Sequence, residues 1–292
     1  MNWITNIASS TALPKINNIE EEAGKLAVVR ILLGFFMMYR VYQLVDVSQI
    51  YFDTPDAYNL GLVFLGLSFL FMIGFLTPLV TAIILIYWHR LDTSMSTFTL
   101  GSSILMLLIS VYLVSNISGI RYSIDAYFLK KRGVFSSFLK KLYGVFGAPG
   151  KLKLQTIYFL AFFTYMLISL GAIMWHFQDP SWMAGTTIIE LMTNSFLSKY
   201  YEFFRMIHIG FPELFLYFSI FSVIGQSVFQ VMAIPVMFNR YGLMFVKMWG
   251  IGFFMASLFI IQLSYLPHIE LLLWFVVFYK RGEDSHVKII YD

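Results

Sequence analysis

Residues 156–177 read Thr-Ile-Tyr-Phe-Leu-Ala-Phe-Phe-Thr-Tyr-Met-Leu-Ile-Ser-Leu-Gly-Ala-Ile-Met-Trp-His-Phe, with no Asp, Glu, Lys or Arg among them. A helix of about 20 mostly apolar residues crosses roughly 30 Å of hydrocarbon, so this stretch predicts a membrane span. Working outward, comparable apolar runs cover 26–45, 61–77, 79–94, 100–116, 213–238, 249–266 and 268–280. The last run is short and is opened by Pro267, so it also reads as the far half of a kinked helix. The totals agree with the runs. Of 292 residues, 59% are hydrophobic and 12% charged, and mean hydropathy is +0.75. A soluble domain carries about 25% charged residues. The expected fold is all-α: a polytopic transmembrane helix bundle of about eight spans, with interfacial amphipathic helices.

Charge placement orients the bundle. Residues 117–155 hold Arg121, Lys130, Lys131, Arg132, Lys140, Lys141, Lys151 and Lys153 against the single acid Asp125. Residues 178–212 hold only Lys199 and Arg205 as Lys/Arg bases. Basic loops stay cytoplasmic, so 117–155 is expected inside and 178–212 outside. The layout that follows is a cytoplasmic N-terminal segment 1–25, a transmembrane domain 26–280 and a cytoplasmic tail 281–292. No cleaved signal peptide is expected, and the plasma or inner membrane is the expected location. The basic residues track topology, so nucleic acid is not an expected partner. With no cysteine, thiolate metal sites, disulfides and cysteine nucleophiles are excluded.

Two stretches predict helices lying on the membrane surface. Phe135, Phe138, Leu139, Leu142, Tyr143 and Phe146 follow helical spacing within 134–146, with Lys140 and Lys141 off the stripe. Outside, Tyr200, Tyr201, Phe203, Phe204, Ile207 and Ile209 make a second amphipathic run.

Ionisable and amide groups inside spans are the candidate site residues. Arg30 either snorkels to the cytoplasmic headgroups or faces the bundle and pairs there. Gln226 and Gln230 share a face of one span, where they bond between helices or line a pocket for a lipid or quinone headgroup. His89, Arg90, His176, His208 and His268 fall at outer ends of spans, together with Asp179 and Glu270 among other acids. That shell reads as a solvated face or as a proton-transfer site with His176 as base and Asp179 beside it. No two histidines have metal-ligand spacing, so no metal is assigned. Phosphate-binding loops, the nucleophile elbow and the dinucleotide fingerprint are absent.

Three stretches carry a family resemblance. Residues 26–38, Leu-Ala-Val-Val-Arg-Ile-Leu-Leu-Gly-Phe-Phe-Met-Met, resemble the first helix of the horizontally transferred transmembrane domain family (HTTM), with Arg30 and Gly34 on its Arg-x-x-x-Gly pattern. Its best-known member is the vitamin K-dependent γ-glutamyl carboxylase. Residues 121–128 resemble the family's Tyr-Ser-x-Asp turn, with Asp125 on the acid, and Trp182-Met183-Ala184-Gly185 resembles its Trp-x-x-Gly. The likeness covers most of 26–280. Where the carboxylase has a lysine pair, this chain has His176 and Phe177, and the histidine expected near 96–103 is missing. The resemblance therefore implies the family's fold without its chemistry. It points to a membrane subunit or accessory protein of a larger complex or peptide-maturation system, with membrane lipids and other membrane-protein subunits as partners. The alternatives are an enzyme acting on a quinone or lipid in an outer-face pocket lined by Arg30, His89, Arg90, Gln226 and Gln230, and, third, a small-molecule transporter.

Overall fold

The computed structural model of the protein describes residues 2–16, 18–51, 55–95, 99–115, 117–146, 154–261 and 266–279. Among them there are helices and one isolated antiparallel bridge, Ser198 to Ile261, but no strand. In chain order the helices are α1 (Asn2–Ser10), α2 (Ile19–Tyr51), α3 (Pro55–Ile73), α4 (Thr77–Met95), α5 (Thr99–Ser115), α6 (Ile124–Leu129) and α7 (Val134–Phe146). There follow α8 (Leu154–His176), α9 (Pro180–Met183), α10 (Thr187–Thr193), α11 (Tyr201–Gly210), α12 (Pro212–Val236), α13 (Arg240–Phe259) and α14 (Leu266–Phe278). Among the described residues, α8, α12 and α13 are long and apolar enough to cross a membrane. Shorter apolar stretches lie at Tyr58–Ile73, Thr77–Trp88, Ser103–Tyr112 and Leu266–Phe278.

Several boundaries differ from the sequence expectation. The span expected at 249–266 is displaced, because α13 starts at Arg240. The Asn239 side chain accepts hydrogen bonds from the amides of Tyr241 (2.9 Å) and Gly242 (3.2 Å), so a cap starts this helix well before hydropathy rises. At its other end α13 stops at Phe259, and Ile261 bridges to Ser198, so α14 is a helix of its own. Pro235 is the next-to-last residue of α12.

The chain divides into two compact units, the first being Met1–Thr5, Pro14–Tyr158 and Tyr279–Asp292, the second Asn6–Leu13 and Phe159–Phe278. In the first unit, Leu26, Val29, Leu33, Met37 and Val41 of α2 form a buried stripe. Gly34 lets α2 approach α3 closely, since a Cβ there would come within 2.6 Å of Met72 Cβ. Edge-to-face pairs Phe71–Tyr112 and Phe64–Trp88 fill the remaining space. Helix α7 has the bounds expected of the inner amphipathic stretch, but Leu139 and Tyr143 are buried in this unit and Phe135 stacks on Phe75. Its apolar stripe therefore packs largely on protein, while Phe138 and Val145 stay exposed.

The second unit is built around Trp274 of α14, which is almost fully buried. Phe162, Tyr165, Phe229, Phe254 and Phe278 surround it with ring centroids 5.0–6.0 Å away. Gly250 admits the indole, because a Cβ there would lie 2.6 Å from Trp274 Cζ2. A second cluster joins Trp182, Ile188, Met192, Phe215 and Val223, with Phe204 and Ile207 of α11 packed on it. On the other side of α11, Phe203, Met206 and Ile209 are exposed.

Candidate functional site

Arg30 lies on the buried stripe of α2 and is fully enclosed, so it faces the interior and does not snorkel. Its guanidinium donates to the carbonyl oxygens of Ser118 and, at 2.5 Å, Tyr122. Asp125 of α6 is enclosed in the same unit. It accepts from the amides of Leu76 (2.8 Å) and Thr77 (2.7 Å), from Thr77 Oγ1 (2.8 Å) and from the Tyr143 hydroxyl (2.8 Å). A carboxylate over the first amides of α4 satisfies donors that the helix cannot pair and meets the positive end of its dipole. Two non-glycine residues, Leu76 (φ 48°) and Tyr122 (φ 46°), take left-handed backbone here. Each is a direct partner of Asp125 or Arg30, so the hydrogen bonds hold conformations that cost on the order of 1–3 kcal/mol each. Burial, with the Asp125 charge beside it, pushes the Tyr143 phenol far above its ordinary range and keeps it a donor. Arg30 thus belongs to a knot that ties α2 to the 118–122 turn through its two terminal nitrogens, while among the described residues its Nε has no hydrogen-bond partner. His89 and Arg90 fall in α4, but their side chains lie outside the described residues.

A second polar lock in this unit was not anticipated. The Lys25 ammonium lies 2.6 Å from Glu22 Oε2, the Tyr158 hydroxyl donates to that same oxygen at 2.8 Å, and Lys25 Nζ also donates to the Tyr279 carbonyl (3.1 Å).

In the second unit the residues expected to do acid–base work are committed locally. Helix α8 ends at His176, whose ring lies flat on Trp182 with centroids 4.1 Å apart and 7° between planes. Asp179 caps α9: its Oδ1 accepts from the Ser181 amide (2.9 Å) and hydroxyl (2.8 Å). Those hydrogen bonds hold the Asp179 carboxyl below its ordinary range. The helix does not continue from His176 through Asp179, because Pro180 opens the next one. Glu190 accepts from the Thr186 hydroxyl (3.1 Å) and Glu202 from the Tyr201 hydroxyl (3.0 Å).

Deeper in the unit, Gln226 and Gln230 are both buried on one face of α12. Gln226 Oε1 accepts from the Trp249 indole of α13 at 3.0 Å, a bond between helices. Gln230 Oε1 is buried and, among the described residues, has no hydrogen-bond partner. Glu270 departs furthest from the sequence expectation. It reads as an outer, solvated acid, yet it is 7% exposed and accepts from the Tyr165 hydroxyl at 2.7 Å. Pro267 and His268 just before it make a surface position look natural. Spacing held a contrary signal, since Glu270 lies one helical turn before Trp274 in a helix whose residues after it are all apolar. Among the described residues, no three His, Asp or Glu side chains gather to hold a metal ion.

No protein-family model, curated protein or solved structure matches this chain.

Proposed function

We propose that the protein is a multi-pass membrane subunit or accessory protein of the horizontally transferred transmembrane domain type, without carboxylase chemistry. About eight helices cross the bilayer in this proposal: the three long ones, the shorter apolar helices and α2. Both termini are cytoplasmic, as the basic residues of 117–155 favour. The plasma or inner membrane is the proposed location, and membrane lipids and other membrane-protein subunits are the partners.

The observation that carries this reading is where the polar side chains are committed. Arg30 and Asp125, the charged positions of the family likeness, hold backbone together in the first unit. Gly34, the third, serves the approach of α2 to α3. His176 stacks on Trp182 and Asp179 caps a helix. Side chains engaged in this way support a scaffold more than a quinone- or lipid-dependent enzyme. The exposed row Phe203, Met206 and Ile209 on α11 is the proposed docking face.

The test is co-purification of the full-length protein from its native membranes in mild detergent. A variant carrying Phe203→Ala, Met206→Ala and Ile209→Ala should lose a stoichiometric partner that wild type and His176→Ala retain. Phe204 is unsuitable for this purpose because it packs on the core. A His176→Ala protein that keeps its partners but loses a turnover by about 10²–10⁴-fold would overturn the proposal in favour of the enzyme. Topology has its own check, since the chain has no cysteine. Cysteine at the exposed Ser137 should resist an impermeant maleimide in intact cells, and cysteine at the exposed Ser195 should react.

A further inference from the structure

The helices of the second unit bring three oxygen-bearing side chains to one level. Rising along α8, Phe162 meets Phe278 and Trp274, and Tyr165 then meets Trp274 and Glu270, so α8 and α14 run antiparallel. Along α13 the buried stripe is Leu243, Val246, Gly250, Phe254 and Ser257, and Gly250 and Phe254 both pack on Trp274. Only 260–265 separates α13 from α14, so these two are antiparallel as well. Ser257 lies about 4.5 Å beyond Phe254 along its axis, and Glu270 about 6 Å from Trp274 toward the same end. Ser257 and Glu270 therefore stand level on facing stripes, with Tyr165 already bonded to the carboxyl.

Ser257 is 1% exposed, and among the described residues its hydroxyl has no hydrogen-bond partner. Ser110, Ser222 and Ser227 each donate to the carbonyl four residues back, as helical serines commonly do. Ser257 does not. A buried hydroxyl left unbonded costs about 1–3 kcal/mol, so its lone pairs and proton are available to something else. Glu270 has an equivalent need. Among the described residues its one hydrogen bond comes from Tyr165, and the ion pairs involve other acids. The groups facing it add no positive charge: α8 brings Tyr165, α13 brings Ser257, and the α12 stripe carries Ser219, Gln226 and Gln230. Lys247 lies ten residues before Ser257, and His176 eleven beyond Tyr165, each about 15 Å or more along its helix. On α14 itself His268 is two positions away, on a different side of the helix. An uncompensated carboxylate in such an interior costs several kcal/mol, so a positive charge is called for.

We propose that Glu270, Tyr165 and Ser257 form a binding site for a small hard cation, either a proton or a sodium-sized metal ion, held by carboxylate and hydroxyl oxygens. Oxygen ligands of this kind suit hard cations. The site is independent of the subunit reading: it stands or falls on these three side chains.

The experiment uses the purified full-length protein in lipid nanodiscs and follows thermal unfolding by tryptophan fluorescence. Sodium chloride is titrated against choline chloride at constant ionic strength, and pH is varied between about 5 and 8 in choline alone. A cation that binds only the folded state raises Tm in a saturable way. The expected result is a rise with sodium or with acidification that disappears in Glu270→Gln. Sodium dependence at fixed pH identifies a metal ion; dependence on pH alone identifies a proton. Tyr165→Phe and Ser257→Ala should move the midpoint of the response at least about threefold, which a packing role for these residues would not do. These two variants carry the test if Glu270→Gln does not fold. Wild-type responses identical to those of Glu270→Gln, or midpoints unmoved in both hydroxyl variants, overturn the proposal.

Discussion

Asp125 and Glu270 are both buried carboxyl side chains, one in each compact unit, and they are held in opposite ways. Asp125 receives four donors from α4, the turn before it and α7. Among the described residues Glu270 receives one, from Tyr165, amid the aromatic rings around Trp274. A carboxylate whose lone pairs are occupied by amides and hydroxyls has little room for a further ligand and serves as structure. One with a single donor retains capacity for a further ligand. The number of donors thus separates a side chain that holds the fold from one that is available for binding, although the two are comparably enclosed.

Removing the anchored carboxyl should have the largest effect. Asp125→Ala strands the Leu76 and Thr77 amides and the Tyr143 hydroxyl, and should destabilise the protein by about 3–5 kcal/mol, read as a lower Tm or loss of folded material in detergent. A near-neutral result would break the comparison at its structural end. Next comes Gly34→Ala, which sets a methyl against Met72 Cβ and Cα and should cost about 1–3 kcal/mol by overpacking. Because Arg30 lies one turn away on α2, this change should also lower the protection of the Arg30–Ser118 region in hydrogen exchange. His176→Ala removes a ring stacked on Trp182 and should cost about 0.5–1.5 kcal/mol in thermal melts. A larger loss would show that the C-terminal end of α8 is as critical as the Arg30 knot. The smallest change in stability is expected for Glu270→Gln, below about 1 kcal/mol, since an amide oxygen still accepts from Tyr165. If it instead costs as much as Asp125→Ala, Glu270 is as structural as Asp125 and the contrast fails.

Hydropathy and spacing were enough to read the all-helical class, because backbone groups in an apolar setting are satisfied within the helix itself and each helix writes its length into a run of side chains. Seven of the eight apolar runs overlap chiefly one helix each, the run at 249–266 is split between the second half of α13 and the start of α14, and the 134–146 amphipathic stretch has the bounds of α7. Gln226 and Gln230 were legible as sharing a face for the same reason: periodicity of 3.6 is local. Local pattern did not extend to partners. It left Arg30 divided between snorkelling and burial, grouped Glu270 with a shell read as a solvated face or a proton-transfer site, and set Asp179 beside His176. Each of those outcomes depends on a residue distant in sequence or on where a helix stops: the Ser118 and Tyr122 carbonyls for Arg30, Tyr165 for Glu270, and the break at Pro180 for Asp179. The same holds for the start of α13, where one asparagine cap outweighs the hydropathy of the residues after it. Burial of a charge and supply of its donors are properties of packed helices, so only the tertiary arrangement decides which polar residues are scaffold and which can bind a ligand.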